Sequence, residues 1–270
     1  MSAPVQPDSL RASLRPLAAA QPLTAEQQAY QAFYQLNRLG VQTRLGCFQV
    51  AGYQIAVQAW WPEQPRATLI VQHGLGADGT DFLPMCDAFN LSAVGPVRYV
   101  MPRAPVRPVT INGGQPMRAW YDILGTALQR RDAAAGLRAS VAQVHALLDQ
   151  EIARGVPAHR IVLAGFSQGC AITLMAGLRY PQRLAGLAGL SGYLPMAAST
   201  AAERSVAMQG APVFLGHGRN DGVVTMARGR AGLEALTTLG HAPEWHDYPM
   251  EHSVCMEEVT DLNRWVLKVL

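Results

Sequence analysis

Ser167 stands in Gly165-Phe166-Ser167-Gln168-Gly169, which fits G-x-S-x-G. A serine hydroxyl is a weak nucleophile until a base takes its proton and a third group orients that base, so the chain must also supply an imidazole and a carboxylate. Downstream, Asp221 lies in His217-Gly218-Arg219-Asn220-Asp221-Gly222 and His252 in Pro249-Met250-Glu251-His252-Ser253. Serine, acid, histidine is the chain order in which a strand-turn-helix serine carries its partners. The chemistry open to such a row is attack on an acyl carbonyl through an acyl-enzyme, with no metal and no organic cofactor required.

The surrounding elements must bring the three together. Ile161 to Ala164 is a continuously apolar run, the pattern of a strand buried on both faces, and Cys170 to Leu178 reads as a buried helix ending at Pro181. Between them, the turn at Ser167 leaves no room for side chains two residues to either side, which accounts for the glycines. Ala211 to Gly216 is a second buried strand leading to Asp221, and Glu244 to Tyr248 a third leading to His252, with Val254 opening the last helix. Loops at the carboxyl ends of parallel strands are where open α/β sheets place their sites. The rival acids are weaker: Asp247 is too near His252 in the chain to approach its ring, and Asp149 faces out from a helix. Among the imidazoles, His217 and His246 are strand-end residues, and His73 precedes the serine and reads as a structural histidine bonded to loop backbone.

Elsewhere, Gly46 to Trp61 suggests two antiparallel strands turning at Ala51-Gly52, and Arg66 to Gln72 and Val97 to Met101 are further strands. Asp78 and Asp81 have no clustered third ligand and read as turn and cap residues. Pro102 to Asp122 is a long loop dense in proline and glycine, a length that usually carries function. Val141, Val144, Leu148 and Ile152 give a helix from Asp132 to Arg154, stopped by Gly155, and Leu184 to Leu190 is another strand. Ala197 to Gly210 is polar and alanine-rich and reads as a flap.

Seven stretches occur in one order from about Ala67 to Leu270: His73 to Gly79 (HGLGADG), Pro102 to Asn112 (PRAPVRPVTIN), Trp120 to Asp122 (WYD), GFSQG, Leu190 to Pro195 (LSGYLP), GHGRNDGVV and the terminal EH. Together they resemble the acyl-protein thioesterase, lysophospholipase and small carboxylesterase family of α/β-hydrolases. That resemblance implies an α/β-hydrolase fold, a mostly parallel central sheet with helices on both faces. It implies Ser167 as nucleophile, Asp221 as orienting acid and His252 as base. The oxyanion hole falls to the backbone N–H groups of Leu75 and of Gln168, which follows the nucleophile. The resemblance also makes the Pro102 to Asp122 loop a wall of an acyl groove, with Trp120, Val109, Ile111, Leu194 and Met196 facing substrate; ordinary packing beneath the loop is equally open for Trp120. The function implied is a carboxylesterase for short to medium acyl chains. Alternatives are an acyl-protein thioesterase or lysophospholipase taking long chains, or a non-catalytic binding module of the same fold.

A chain of 270 residues, 49% hydrophobic and 15% charged, suits one large core. Residues 1–23 read as a flexible tail, 24–40 as an extra helix entered by the capping box Thr24-Ala25-Glu26-Gln27, and 41–270 as a single domain. A net charge of +3 without a basic stripe excludes nucleic acid as a partner, and no apolar stretch reaches transmembrane length. The partner expected is a small or acyl-chain ester, and a homodimer stays open. Four cysteines without metal-ligand spacing are expected to be reduced, which points to a cytoplasmic address; a transit or export signal in the first 22 residues is the alternative.

Overall fold

In the computed structural model, residues 65–124 and 131–270 are described, preceded by two strands at 42–50 and 53–61. The expected tail, the 24–40 helix and the 51–52 turn lie outside the described residues. An eight-stranded sheet runs in the order β1-β2-β4-β3-β9-β10-β11-β12. Strands β1 (Gln42–Val50) and β2 (Tyr53–Trp61) pair antiparallel, as do β2 and β4 (Val97–Pro102). From β4 the ladder is parallel through β3 (Ala67–Gln72), β9 (Ile161–Phe166), β10 (Gly186–Leu190), β11 (Val213–Gly218) and β12 (Glu244–Tyr248).

The apolar runs are continuous because each central strand buries both faces. Leu69 and Val71 of β3 and Val162 and Ala164 of β9 pack into one cluster, whereas Ile70, Ile161 and Leu163 join the other. The first cluster is closed by α1 (Leu83–Asp87) and α6 (Met256–Val269), the latter through Val259, Leu262, Trp265 and Val266. The second is closed by α2 (Ala134–Ala153), α3 (Gln168–Arg179) and α5 (Met226–Thr238). Gly155, at φ +100, ends α2 in the left-handed conformation that suits glycine.

Two expectations need correction. The Pro102 to Asp122 segment is not an irregular loop: β5 (Val106–Val109) and β6 (Gln115–Arg118) pair antiparallel, and Gly113 and Gly114, at φ +67 and +77, make the reversal between them. Two-residue strands β7 (Ile123–Leu124) and β8 (Arg131–Asp132) pair just beyond it. The stretch from Ala197 is also not a flap. It forms α4 (Ala197–Glu203) and a short 3-10 turn, pinned by Arg179 on Glu203 at 2.8 Å and by the Ser205 N–H on the Leu178 carbonyl.

Glu258 of α6 is fully buried against β11, where a Cβ on Gly216 would meet its Oε1 at 2.0 Å, and neither carboxylate oxygen has a hydrogen-bond partner among the described residues. Burial pushes its carboxyl up from 4.5 to about 8. Between those values the folded chain keeps a proton that the unfolded chain releases, so stability falls as pH rises through this window and levels off above it. The full effect is on the order of 5 kcal/mol. Urea midpoints from pH 5 to 8.5 should decline less in Glu258→Gln than in the wild type; parallel declines would show that Glu258 does not titrate there.

Candidate active site

Ser167 sits between β9 and α3 at φ 56, ψ −116, outside the regions that residues with a side chain prefer. Such a conformation costs about 1 to 3 kcal/mol and persists where packing over-determines it. The flanking glycines show how it is held. A Cβ on Gly165 would come within 2.4 Å of the Gly169 backbone, and one on Gly169 within 2.1 Å of the Gln72 carbonyl oxygen. The Ser167 N–H is tied to the Leu190 carbonyl at 2.9 Å, which locks the turn to the adjacent strand.

His252 occupies the loop from β12 to α6, its ring 4.8 Å from that of Phe166. Its Nε2 lies 2.9 Å from Ser167 Oγ and its Nδ1 2.7 Å from Asp221 Oδ2. A carboxylate only accepts, so the proton of the second contact sits on Nδ1 and leaves Nε2 as acceptor for the serine hydroxyl. Asp221 is itself held firmly. Its side chain is fully buried, and Oδ1 accepts the N–H groups of Val223 and Val224, each at 2.8 Å. His217 braces the same loop. Its Nε2–H donates to the Val224 carbonyl at 2.8 Å, and its ring stacks on Trp245.

The structure thus brings Ser167, His252 and Asp221 into one hydrogen-bonded row at the carboxyl ends of β9, β11 and β12. The rival acids are engaged elsewhere: Asp247 pairs with Arg219 and Arg230, and Asp149 accepts from the Tyr180 hydroxyl. His73 is bonded to backbone through both ring nitrogens. Nε2 accepts from Ala104 N–H and Nδ1–H donates to the Gly74 carbonyl, while burial lowers its basicity. Asp78 and Asp81 form a reciprocal cap on a 3-10 turn, and Asp78 pairs with Arg103 and Arg118.

Beside the serine, Gly74 approaches closely enough that its Cβ would lie 3.4 Å from Ser167 Cβ. Neither the Leu75 nor the Gln168 N–H has a hydrogen-bond partner among the described residues. The remaining expected site residues divide by exposure. Ile111 and Met196 are partly exposed and pack, with Leu75, on the cluster beneath. Val109 and Trp120 are in the core and offer a substrate no surface, the first held by the β5-β6 hairpin and the second by its indole hydrogen bond, and Leu194 is nearly as buried in the core cluster. Two features had no signal in the sequence: the paired amides on Asp221 and the Tyr121–Tyr193–Asp132 hydroxyl chain, whose contacts span 2.7 to 2.8 Å. Among the described residues no cluster of metal-ligating side chains occurs, and no helix is long and apolar enough to cross a membrane.

A family model described as phospholipase/carboxylesterase matches residues 57–270. The carboxylesterase SOBER1 of Arabidopsis thaliana is 34% identical over 212 residues, 76% of this chain and 91% of that protein. Acyl-protein thioesterase 1 of Yarrowia lipolytica is 34% identical over 205 residues, 74% of this chain and 90% of that protein. The crystal structure of SOBER1 matches with a TM-score of 0.72 at 31% identity, covering 76% of this chain and 99% of that one. That of Zea mays acyl-protein thioesterase 2 matches at 0.66 and 27%, covering 79% and 98%. With the parallel sheet and the strained serine between β9 and α3, these likenesses make the chain a member of the phospholipase/carboxylesterase family of α/β-hydrolases.

Proposed function

We propose that this carboxylic ester hydrolase works through an acyl-enzyme, with Ser167 as nucleophile, His252 as general base and Asp221 as the group that orients the imidazole. The observation that carries this is the unbroken row from Asp221 Oδ2 through both ring nitrogens of His252 to Ser167 Oγ, at 2.7 and 2.9 Å. His252 Nε2 takes the hydroxyl proton as Oγ attacks the carbonyl carbon, and the tetrahedral oxyanion is met by the N–H groups of Leu75 and Gln168. The imidazolium returns that proton to the leaving alcohol. Water then attacks the acyl-enzyme by the same steps, and the carboxylic acid departs.

The acyl group lies against the partly exposed side chains of Leu75, Ile111 and Met196. The cavity lined by Cys170, Leu174, Tyr193, His217 and Trp245 touches neither these side chains nor Ser167 and has room for about one water, so it offers no channel for an acyl chain. An acyl surface of three side chains supports short to medium acyl chains. A thioesterase or lysophospholipase acting on long chains is the second reading, supported by the thioesterase relatives. Cys86, Cys170 and Cys255 are free thiols, which supports a cytoplasmic address.

A panel of p-nitrophenyl esters from acetate to palmitate, run beside a thioester, tests the substrate. The maximum in kcat/KM is expected between butyrate and octanoate. A maximum at palmitate, or on the thioester, moves the assignment to the second reading. Absence of Ser167 labelling by a fluorophosphonate would leave a non-catalytic binding module.

A further inference from the structure

Two buried side chains connect the backbone segments that carry the proposed oxyanion donors. The Gln168 amide folds across to the chain after the hairpin, where Oε1 accepts the Trp120 N–H at 2.8 Å and Nε2 donates to the Tyr121 carbonyl at 2.8 Å. Trp120 reaches the other segment. Its indole N–H donates to the His73 carbonyl at 2.9 Å, two residues before Leu75, and its ring lies 5.3 Å from the His73 imidazole. Both ends of this path are anchored in turn. The Trp120 carbonyl accepts from the Ser140 hydroxyl of α2, and His73 Nε2 accepts the Ala104 N–H. Gln168, Trp120 and His73 are all buried.

The sheet ladder cannot do this work. Strands β3 and β9 are in register as far as Gln72 opposite Gly165, where their ladder ends. The gap between the Leu75 and Gln168 N–H groups therefore depends on contacts beyond the strands. An amide bonded at both ends to the backbone of consecutive residues cannot rotate without losing two buried hydrogen bonds, each costly to leave unmade.

We propose that the Gln168 side chain and the Trp120 indole form a buried bracket that sets the separation of the two oxyanion donors. Both are positioning residues, Gln168 contributing its side chain for this purpose besides its N–H. The proposal rests on the acyl-enzyme reading above. Donors must reach the place where the oxyanion will form rather than the ground-state carbonyl, so a loosened bracket lowers kcat and spares KM.

The test uses Gln168→Met and Trp120→Phe in the full chain, with active sites counted by fluorophosphonate titration. In each, kcat on p-nitrophenyl butyrate should fall by about 10- to 100-fold while KM stays within about threefold, the scale set by small misplacements of catalytic groups. A trifluoromethyl ketone, which adds Ser167 and places an oxyanion in the hole, should weaken by a similar factor. The methyl ketone of the same chain length, which does not, should bind as before. The double variant should lose no more than about threefold beyond the worse single one, because either break opens the same gap. If Gln168→Met does not fold, Gln168→Glu keeps the bond to Trp120 N–H, loses the one to Tyr121, and is read by the same measurements. Unchanged kcat per titrated site, equal weakening of both ketones, or fully multiplicative losses would overturn the bracket. A wild-type enzyme indifferent to the trifluoromethyl ketone would overturn the acyl-enzyme reading, and the bracket with it.

Discussion

Replacing Ser167 by alanine should lower kcat on a p-nitrophenyl ester by roughly 10⁴ to 10⁶, the scale seen when a triad nucleophile is removed. Only the oxyanion donors and substrate binding would remain to act. The fold should survive the change. Alanine keeps the Cβ and so inherits the same strained φ of 56, and the Ser167 N–H bond to Leu190 is a backbone contact that the substitution leaves in place. What is lost is one hydrogen bond to His252 at 2.9 Å, worth about 1 kcal/mol net. Turnover with purified Ser167→Ala, checked beside its urea midpoint, settles the point. Near-normal turnover by a folded variant would mean that some other group carries the reaction.

The second large effect is expected at Asp221→Asn, about 10⁴ in kcat by comparison with the equivalent change in serine proteases. Geometry dictates why so small a change is so damaging. The Oδ1 position receives two N–H groups, from Val223 and Val224, so the asparagine must place its carbonyl oxygen there. Its NH₂ then faces His252 Nδ1, which must become an acceptor and send the ring proton to Nε2. An Nε2–H pointing at Ser167 cannot take the serine proton. The variant should still fold, since the two backbone amides keep an oxygen acceptor and only the contact to His252 is remade with donor and acceptor exchanged. Pre-steady-state turnover would reveal the loss in acylation, and a fall of less than about tenfold would argue that Asp221 does not orient the base. Combining the two substitutions should cost little beyond Ser167→Ala alone, because members of one catalytic unit are not additive.

Much of this architecture can be read along the chain. The strands at Ala67–Gln72, Ile161–Phe166 and Val213–Gly218 are legible because burial on both faces demands an unbroken apolar run, and α2 is legible from its spacing and from Gly155. The β5-β6 hairpin is not, since Val106–Val109 and Gln115–Arg118 each carry a proline and lack clean alternation. Nor is α4, whose alanine-rich sequence has little period; Arg179 on Glu203, 24 residues away in the chain, holds it in place.

By itself, the sequence determined the types and order of the reacting groups and the glycines at 165 and 169, since steric demands at a tight turn and apolar periodicity are local properties written residue by residue. Tertiary structure alone decided that Trp120 turns inward to His73 rather than toward a substrate, that Val223 and Val224 aim their amides at Asp221, and that the Gln168 side chain grips the chain at 120–121. Most of these contacts join segments far apart in the chain or turn on the path of a folded loop. Which of several competent partners a polar side chain finds is settled only when packing has fixed the distances and burial has made an unpaired group costly.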